Sequence, residues 1–192
     1  GSARELTLGD PRLAETDVGP VIDREARDNI LTHVRVMESA GRLKFSGKEP
    51  DVTLAGGTYV APQIIELERP EDLTREVFGP VLHVVRYKAK DFGAMLEKIA
   101  ASGYGLTLGV HSRIDATVKQ VVDRLPVGNV YVNRNIIGAV VGTQPFGGAG
   151  LSGTGPKAGG PAYLQRFALE QVISLNTAAS GGNASLLAHS GE

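Results

Sequence analysis

The fold is decided by residues 81–133, which read VLHVVRYKAKDFGAMLEKIAASGYGLTLGVHSRIDATVKQVVDRLPVGNVYVN. Runs of four to eight β-branched and aromatic residues, bounded by turn residues, are typical of buried strands. Such runs occur three times in this stretch, and they predict strands at Val81 to Tyr87, Gly105 to His111 and Val130 to Asn133.

Two helical patterns separate these runs. Asp91 is predicted to cap a helix that continues through Ala101, and Asp115 to cap a helix that ends at Leu125, because Pro126 follows. Alternation of strands and helices is typical of crossover units, whose strands run parallel. We therefore predict an α/β fold, in which a mostly parallel open sheet is covered by crossover helices.

A third helix is predicted before this stretch. Asp23 has the position of an N-cap, Gly41 ends the pattern, and the apolar positions between them are Ala26, Ile30, Val34 and Met37. Two further strands are expected at Leu43 to Phe45 and Tyr59 to Glu66, separated by a loop.

The composition after Asn135 changes to glycine and proline. Residues 138–160 carry almost no charge apart from Lys157, and this predicts an ordered loop rather than a helix, a strand or a flexible tether. Gly148, Gly150 and Gly153 have the spacing of a dinucleotide fingerprint. Prolines flank them on both sides, however, so no strand should lead into the loop and no helix should start on it.

Composition excludes several classes of function. The 192 residues include 20 Lys or Arg against 21 Asp or Glu, so no field of one sign attracts nucleic acid or an anionic membrane. The absence of cysteine excludes disulfides, thiolate metal sites and a cysteine nucleophile carried by this chain. No apolar run is long enough to cross a membrane and no leader opens the chain, which favours a cytoplasmic protein. The histidines lack ligand spacing, so no metal site is predicted.

Two segments could bind a ligand, and each has a structural alternative. Glu76 could accept hydrogen bonds from a ribose diol and Phe78 could pack on a heteroaromatic ring, or they could form an ion pair and join the core. Gly138 and Ala139 could present backbone N–H groups to a carboxylate, with Phe146 covering an aliphatic stem, or the loop could be a packed turn.

Several motifs in order along the chain resemble the aldehyde dehydrogenase superfamily. They are Gly9-Asp10-Pro11, Thr16 to Asp23, Glu76-Val77-Phe78-Gly79-Pro80-Val81, Gly128-Asn129-Val130-Tyr131-Val132-Asn133, Gln144-Pro145-Phe146-Gly147-Gly148 and Ser152-Gly153-Thr154-Gly155. Residues 138–146 and 157–161 resemble the aldehyde-anchor loop of its L-glutamate γ-semialdehyde (1-pyrroline-5-carboxylate) dehydrogenases. Residues 133–135 and 176–183 are most similar to the C-terminal part of the bacterial bifunctional proline utilisation enzymes.

The resemblance implies a role for each candidate residue. Glu76 would hydrogen-bond the nicotinamide ribose of NAD, and Phe78 would pack near the nicotinamide. Gly138 and Ala139 would bind the α-carboxylate of the substrate, and Phe146 would bracket its methylene chain. The reaction would be thiolate attack on the semialdehyde, hydride transfer to NAD and hydrolysis of the thioester to glutamate.

The family nucleophile and its Rossmann domain would lie outside this chain. We therefore expect no catalytic residue here, no cofactor bound to the chain alone and no turnover by it. FAD would be involved only if the parent also carries a proline dehydrogenase domain, and the choice between NAD and NADP stays open. The alternatives are an aldehyde-dehydrogenase-like lid domain without activity and a free-standing carboxylate-binding module.

The resemblance also divides the chain. Gly1 and Ser2 read as the remnant of a tag, and residues 3–165 as the C-terminal part of the catalytic domain. Residues 166–180 are expected to form a strand that joins a neighbouring subunit, with closure of the chain's own sheet as the alternative. Residues 181–192 are expected to be a flexible tail. A homo-oligomer built through this strand is the expected assembly.

Overall fold

The computed structural model describes residues 1–48, 56–137, 140 and 142–176. Its helices are α1 (Arg24–Ser39), α2 (Phe92–Ala101) and α3 (Asp115–Arg124). Its strands are β1 (Leu43–Ser46), β2 (Gln63–Leu67), β3 (Val81–Val85), β4 (Tyr104–Gly105), β5 (Thr107–Val110), β6 (Asn129–Val132) and β7 (Ala149–Gly150). Short 3-10 turns occur at Ser2–Arg4, Pro70–Asp72, Ala89–Asp91 and Leu164–Phe167.

Helix α1 has the ends that the sequence predicts. The Asp23 carboxylate accepts a hydrogen bond from the Ala26 N–H at 2.7 Å and so satisfies one of the free donors of the first turn. At the other end Gly41 has a positive φ of 70°, and the Gly41 and Arg42 N–H groups bond the carbonyls of Glu38 and Met37. This is a Schellman motif, which satisfies the last carbonyls of the helix.

The first sheet has the order β1-β2-β3. Strand β1 runs antiparallel to β2, and β2 runs parallel to β3 with Gln63 opposite Val81 and Leu67 opposite Val85. Every second residue of β2 is buried, from Gln63 to Leu67, as expected for its central position. The predicted strand at Tyr59 to Glu66 begins four residues late. Pro62 precedes β2 and has no N–H to donate to a ladder.

The second parallel pair is a complete crossover unit. Strands β5 and β6 pair in parallel, with Thr107 opposite Asn129 and Val110 opposite Val132, and α3 connects them. A third, antiparallel pair joins β4 to β7. The described residues therefore form three small sheets rather than the single open sheet that we expected, because no strand ladder links β3 to β5.

Two apolar clusters hold these elements together. One lies between α2, α3 and the β5–β6 pair, and its buried members are Leu96, Val110, Val121 and Leu125. The other lies under α1 and is formed by Ile30, Val34 and Val60. Complete burial of one such side chain stabilises the fold by about 1.5–3 kcal/mol.

The predicted caps of the other two helices are corrected by the structure. Asp115 is the first residue of α3, and the cap position belongs to Ile114, whose side chain cannot accept a hydrogen bond. Asp91 does occupy the cap position of α2, but its side chain makes no capping bond. A carboxylate in the first turn still interacts favourably with the helix dipole, so Asp115 supports α3 without capping it.

The segment after the last 3-10 turn is exposed and has no regular secondary structure. Within the described range, residues 168–176 form no strand with the rest of the chain. Leu169 is 97% exposed, and Val172, Ile173 and Leu175 are at least 73% exposed. Closure of the chain's own sheet by this segment is therefore not observed, whereas pairing with another subunit stays a prediction. The predicted tail at 181–192 lies outside the described residues.

Candidate cofactor and substrate site

The turn before β3 carries two outward side chains. Val77 packs against the apolar cluster under α1, whereas Glu76 is exposed and the ring of Phe78 is 82% exposed. Val77 therefore anchors the segment, and Glu76 and Phe78, on either side of it in the chain, are both exposed.

Close backbone packing fixes this turn. A β-carbon at Gly79 would lie 2.5 Å from Ile30 Cδ1, so a larger residue here would force the Ile30 side chain to shift. The Pro80 carbonyl accepts a hydrogen bond from the Gln63 N–H at 2.9 Å, which ties the turn to β2. These contacts hold the backbone that carries Glu76 and Phe78 against α1 and β2.

The structural alternatives for Glu76 and Phe78 are not observed. Among the described residues Glu76 forms no ion pair, and nearby Arg69 instead binds Asp72 at 3.2 Å. Phe78 is 82% exposed in this chain and belongs to neither of the two apolar clusters. A carboxylate with free acceptors beside a bare ring can accept hydrogen bonds from a diol and pack on a flat heteroaromatic group.

The predicted carboxylate cup lies outside the described residues. Gly138 and Ala139 belong to the part of the chain that the structure leaves out, so their role stays a prediction. Phe146, the third predicted substrate residue, is described. Its side chain is half-buried, and its N–H and carbonyl form two hydrogen bonds of 3.0 Å with the backbone of Ala158.

The glycines of the loop serve close packing. A β-carbon at Gly153 would lie 2.5 Å from the Gly148 carbonyl oxygen, and Gly150 has a positive φ of 60°. Between residues 142 and 163 no helix begins. The fingerprint spacing therefore lacks the helix N-terminus that phosphate binding needs, as predicted.

The structure brings together two histidines that the sequence places in different elements. His33 of α1 and His83 of β3 approach with 2.9 Å between their Nε2 atoms, and their rings are edge to face. Burial lowers the pKa of both rings, and the charge of Arg75 lowers the pKa of His33 further. A pair of neutral imidazoles fits this contact, because one must donate the hydrogen bond and the other accept it.

The histidine pair could have been suspected from position. His33 follows Ile30 by three residues and precedes Val34, so it lies at the border of the buried face of α1. Its partner could not have been found, because strand pairing and helix docking decide which residue of β3 it meets. In the described ranges no three His, Asp or Glu side chains gather as metal ligands, and no helix has both the length and the apolar character for crossing a bilayer.

Comparison with known proteins gives consistent matches. The sequence profile of the aldehyde dehydrogenase family matches residues 1–173. The bifunctional protein PutA of Escherichia coli (strain K12) is 56% identical over 171 residues, which make up 87% of this chain and 13% of that protein.

Two crystal structures show the same architecture. Proline utilization A of Bradyrhizobium japonicum, mutant D779W, superposes with a TM-score of 0.83 at 57% identity, over 93% of this chain and 18% of that one. The 1-pyrroline-5-carboxylate dehydrogenase from Thermus with bound NAD has a TM-score of 0.76 at 38% identity, over 86% of this chain and 31% of that one. The chain thus spans less than a third of the length of each of these proteins.

Proposed function

Because the chain belongs to the aldehyde dehydrogenase family, we propose that it is part of an enzyme that oxidises L-glutamate γ-semialdehyde to L-glutamate with NAD. One observation carries this proposal. The same segment is similar to a bifunctional PutA and to a dedicated 1-pyrroline-5-carboxylate dehydrogenase. We take the activity that these two proteins share to be the one in the name of the dedicated enzyme, 1-pyrroline-5-carboxylate dehydrogenase.

The turn before β3 is suited to one part of NAD. Glu76 has free acceptor oxygens for a ribose diol, and the bare ring of Phe78 offers a surface for the nicotinamide. NAD, when bound, supplies the hydride acceptor. The chain's own contribution is orientation, because the packing of Val77 and Gly79 keeps the turn from moving away. The bound NAD of the Thermus relative supports this choice of cofactor.

The glycine-rich loop is suited to the end of the aldehyde substrate that carries the α-carboxylate. Backbone N–H groups at Gly138 and Ala139 would bind the α-carboxylate, and Phe146 would pack on the methylenes between that group and the aldehyde. The two backbone hydrogen bonds between Phe146 and Ala158 support this role, because they fix the main chain from which the ring extends.

Covalent chemistry would come from outside this chain. The sequence contains no cysteine, so the thiolate that attacks the aldehyde in this family has no candidate here. We expect the chain alone to be inactive, and a trace of turnover with semialdehyde and NAD would contradict this expectation. The lid-domain alternative predicts that Glu76, Phe78 and Phe146 can all be replaced without effect.

The exposed apolar side chains of residues 168–176 support the oligomerisation strand. Leu169, Val172, Ile173 and Leu175 would be covered if the segment 166–180 joined the sheet of another subunit. A monomeric mass at high concentration, with these residues present, would contradict this part of the proposal.

The assignment is tested by two variants of the full-length enzyme with opposite expected effects. Phe78→Ala should raise KM for NAD about tenfold and leave KM for the semialdehyde unchanged, because only the cofactor contact is lost. Phe146→Ala should do the reverse. Tyr104→Ala is the matched control, since it removes a ring that is 69% exposed outside both sites. Unchanged kinetics in both test variants would overturn the proposed function.

A further inference from the structure

We propose that Asn129 is the residue that positions Phe146, and thereby sets the preference of the site for an aldehyde with a carboxylated methylene chain. This inference rests on the proposed function. Asn129 is the first residue of β6, and its side-chain amide reaches the loop. Its Nδ2 donates to the Pro145 carbonyl at 3.1 Å, and its Oδ1 accepts from the Gly147 N–H at 3.3 Å.

The two hydrogen bonds reach the residues directly before and after Phe146 in the chain. One goes to the residue before the ring and one to the residue after it, so a single side chain holds both neighbouring peptides. A carboxamide is suited to this, because it joins one donor and one acceptor in a plane. Asp would lose the donor, and a hydroxyl side chain offers a single polar atom. The partners also fix the orientation of the amide, since a carbonyl requires the nitrogen and an N–H requires the oxygen.

Asn129 is itself well held. Its N–H donates to the Leu106 carbonyl at 3.0 Å, and it pairs with Thr107 in the parallel ladder. The strand therefore gives the loop a rigid reference point. On the far side of Phe146, the backbone of Ala158 supplies the other two hydrogen bonds.

Neighbouring contacts bring the loop close enough for these bonds. A β-carbon at Gly128 would overlap the carbonyl oxygen of Gly147, so glycine is needed where β6 and the loop meet. The Lys157 ammonium donates a hydrogen bond to the Gly128 carbonyl and closes the contact from the other side. These groups set the approach of the loop, whereas the Asn129 side chain holds the two peptides next to the ring on the side opposite the Ala158 backbone.

The experiment compares substrates in the full-length enzyme. Asn129→Ala should raise KM for L-glutamate γ-semialdehyde about tenfold, the same effect as removal of the Phe146 ring that it positions, with kcat changed by less than about twofold. KM for propanal, which has neither the carboxylate nor the long stem, should change by less than about twofold. Asn129→Asp keeps the acceptor for the Gly147 N–H but turns a carboxylate oxygen towards the Pro145 carbonyl, so it should raise KM for the semialdehyde at least as much as the alanine variant. It also serves as the test variant if the alanine variant does not fold.

A double-mutant cycle separates positioning from general destabilisation. In the Phe146→Ala background, Asn129→Ala should raise KM by a further factor of less than about two, because the ring that Asn129 positions is already absent. Ser152→Ala is the matched control: it also removes a side-chain bond between the loop and a strand, to the Gly105 N–H at 3.0 Å, without contacting the neighbours of Phe146. It should leave KM unchanged.

The outcomes distinguish this inference from the proposed function. If Phe146→Ala has no effect on KM, the proposed substrate role of the ring fails. If Phe146→Ala raises KM but Asn129→Ala does not, or if the two effects multiply in full, the inference is overturned and the proposed function stands. An equal rise in KM for propanal and for the semialdehyde in Asn129→Ala would also overturn the inference.

Discussion

The α2–α3 half of the molecule and the glycine-rich loop are held by different forces. Around α2 and α3, the apolar side chains of Leu96, Val110, Val121 and Leu125 pack into a buried cluster. In the loop, backbone groups pack on one another, and a few polar side chains such as Asn129 and Lys157 reach backbone atoms. Side-chain packing tolerates a substitution of similar volume, whereas backbone packing tolerates no added atom at the point of contact.

The largest expected effect is in the packed half. Leu96→Ala should lower the free energy of unfolding by about 2–5 kcal/mol, because it removes a side chain that is 3% exposed and leaves a cavity. Leu96→Met, which nearly conserves the volume, should cost less than about 1.5 kcal/mol. Urea denaturation measures both. A loss below about 1 kcal/mol for the alanine variant would mean that neighbouring side chains move in and fill the cavity, contrary to this expectation.

An addition in the loop should cost somewhat less stability. Gly128→Ala should lower the free energy of unfolding by about 1–3 kcal/mol, since its β-carbon overlaps the Gly147 carbonyl and the loop must shift. Gly56→Ala is the control, because a β-carbon there would have no atom of the described residues within 4 Å, and its φ is not in the positive range. This control should be neutral or slightly stabilising. Equal effects at the two glycines would contradict the described contact between β6 and the loop.

The smallest expected effect concerns the His33–His83 pair. Burial lowers the pKa of both rings from the ordinary value of 6.5, so the unfolded chain binds protons at a higher pH than the folded chain. The stability from this pair is therefore complete above about pH 6.5 and is lost as the pH falls through the lower folded pKa. The loss is at most about 1.4 kcal/mol per pH unit for each proton.

Thermal unfolding between pH 8 and pH 5 measures this dependence. His83→Gln should flatten the curve, because it removes one of the two imidazoles, whereas His111→Gln removes a histidine outside the pair and should leave the slope in place. A slope unchanged by His83→Gln would assign the pH dependence to other groups.

Local patterns were sufficient to predict the three helices and the strands of the β5–β6 pair. The spacing of apolar residues predicted α1, α2, α3 and the strands of the β5–β6 pair to within a few residues, because each of these elements buries a periodic face. The arrangement of sheets was not predictable, since periodicity indicates that a run forms a strand but not which strand it pairs with. Ile114 shows the same limit at a smaller scale, because the cap of α3 moved by one residue.

The site was only partly predictable. The outward positions of Glu76 and Phe78 could not be derived from composition, because an isolated phenylalanine is more often part of a core. Asn129 lies in the motif at residues 128–133, and a polar residue between a glycine and a strand is a signal for a side-chain contact to backbone. Its partners in the glycine-rich loop depend on the tertiary fold. Alternation from Ala168 to Thr177 predicts the strand, yet alternation does not supply a partner.

The pairing of β4 with β7 has a consequence for the order of folding. Residues 107–132 hold a complete crossover unit whose strands are close in sequence, whereas the β4–β7 pair must bring residue 104 to residue 150. Contacts between distant positions form late, because the intervening chain must first lose its conformational freedom. We expect the loop around Phe146 to be among the last parts of the molecule to acquire its native structure during synthesis.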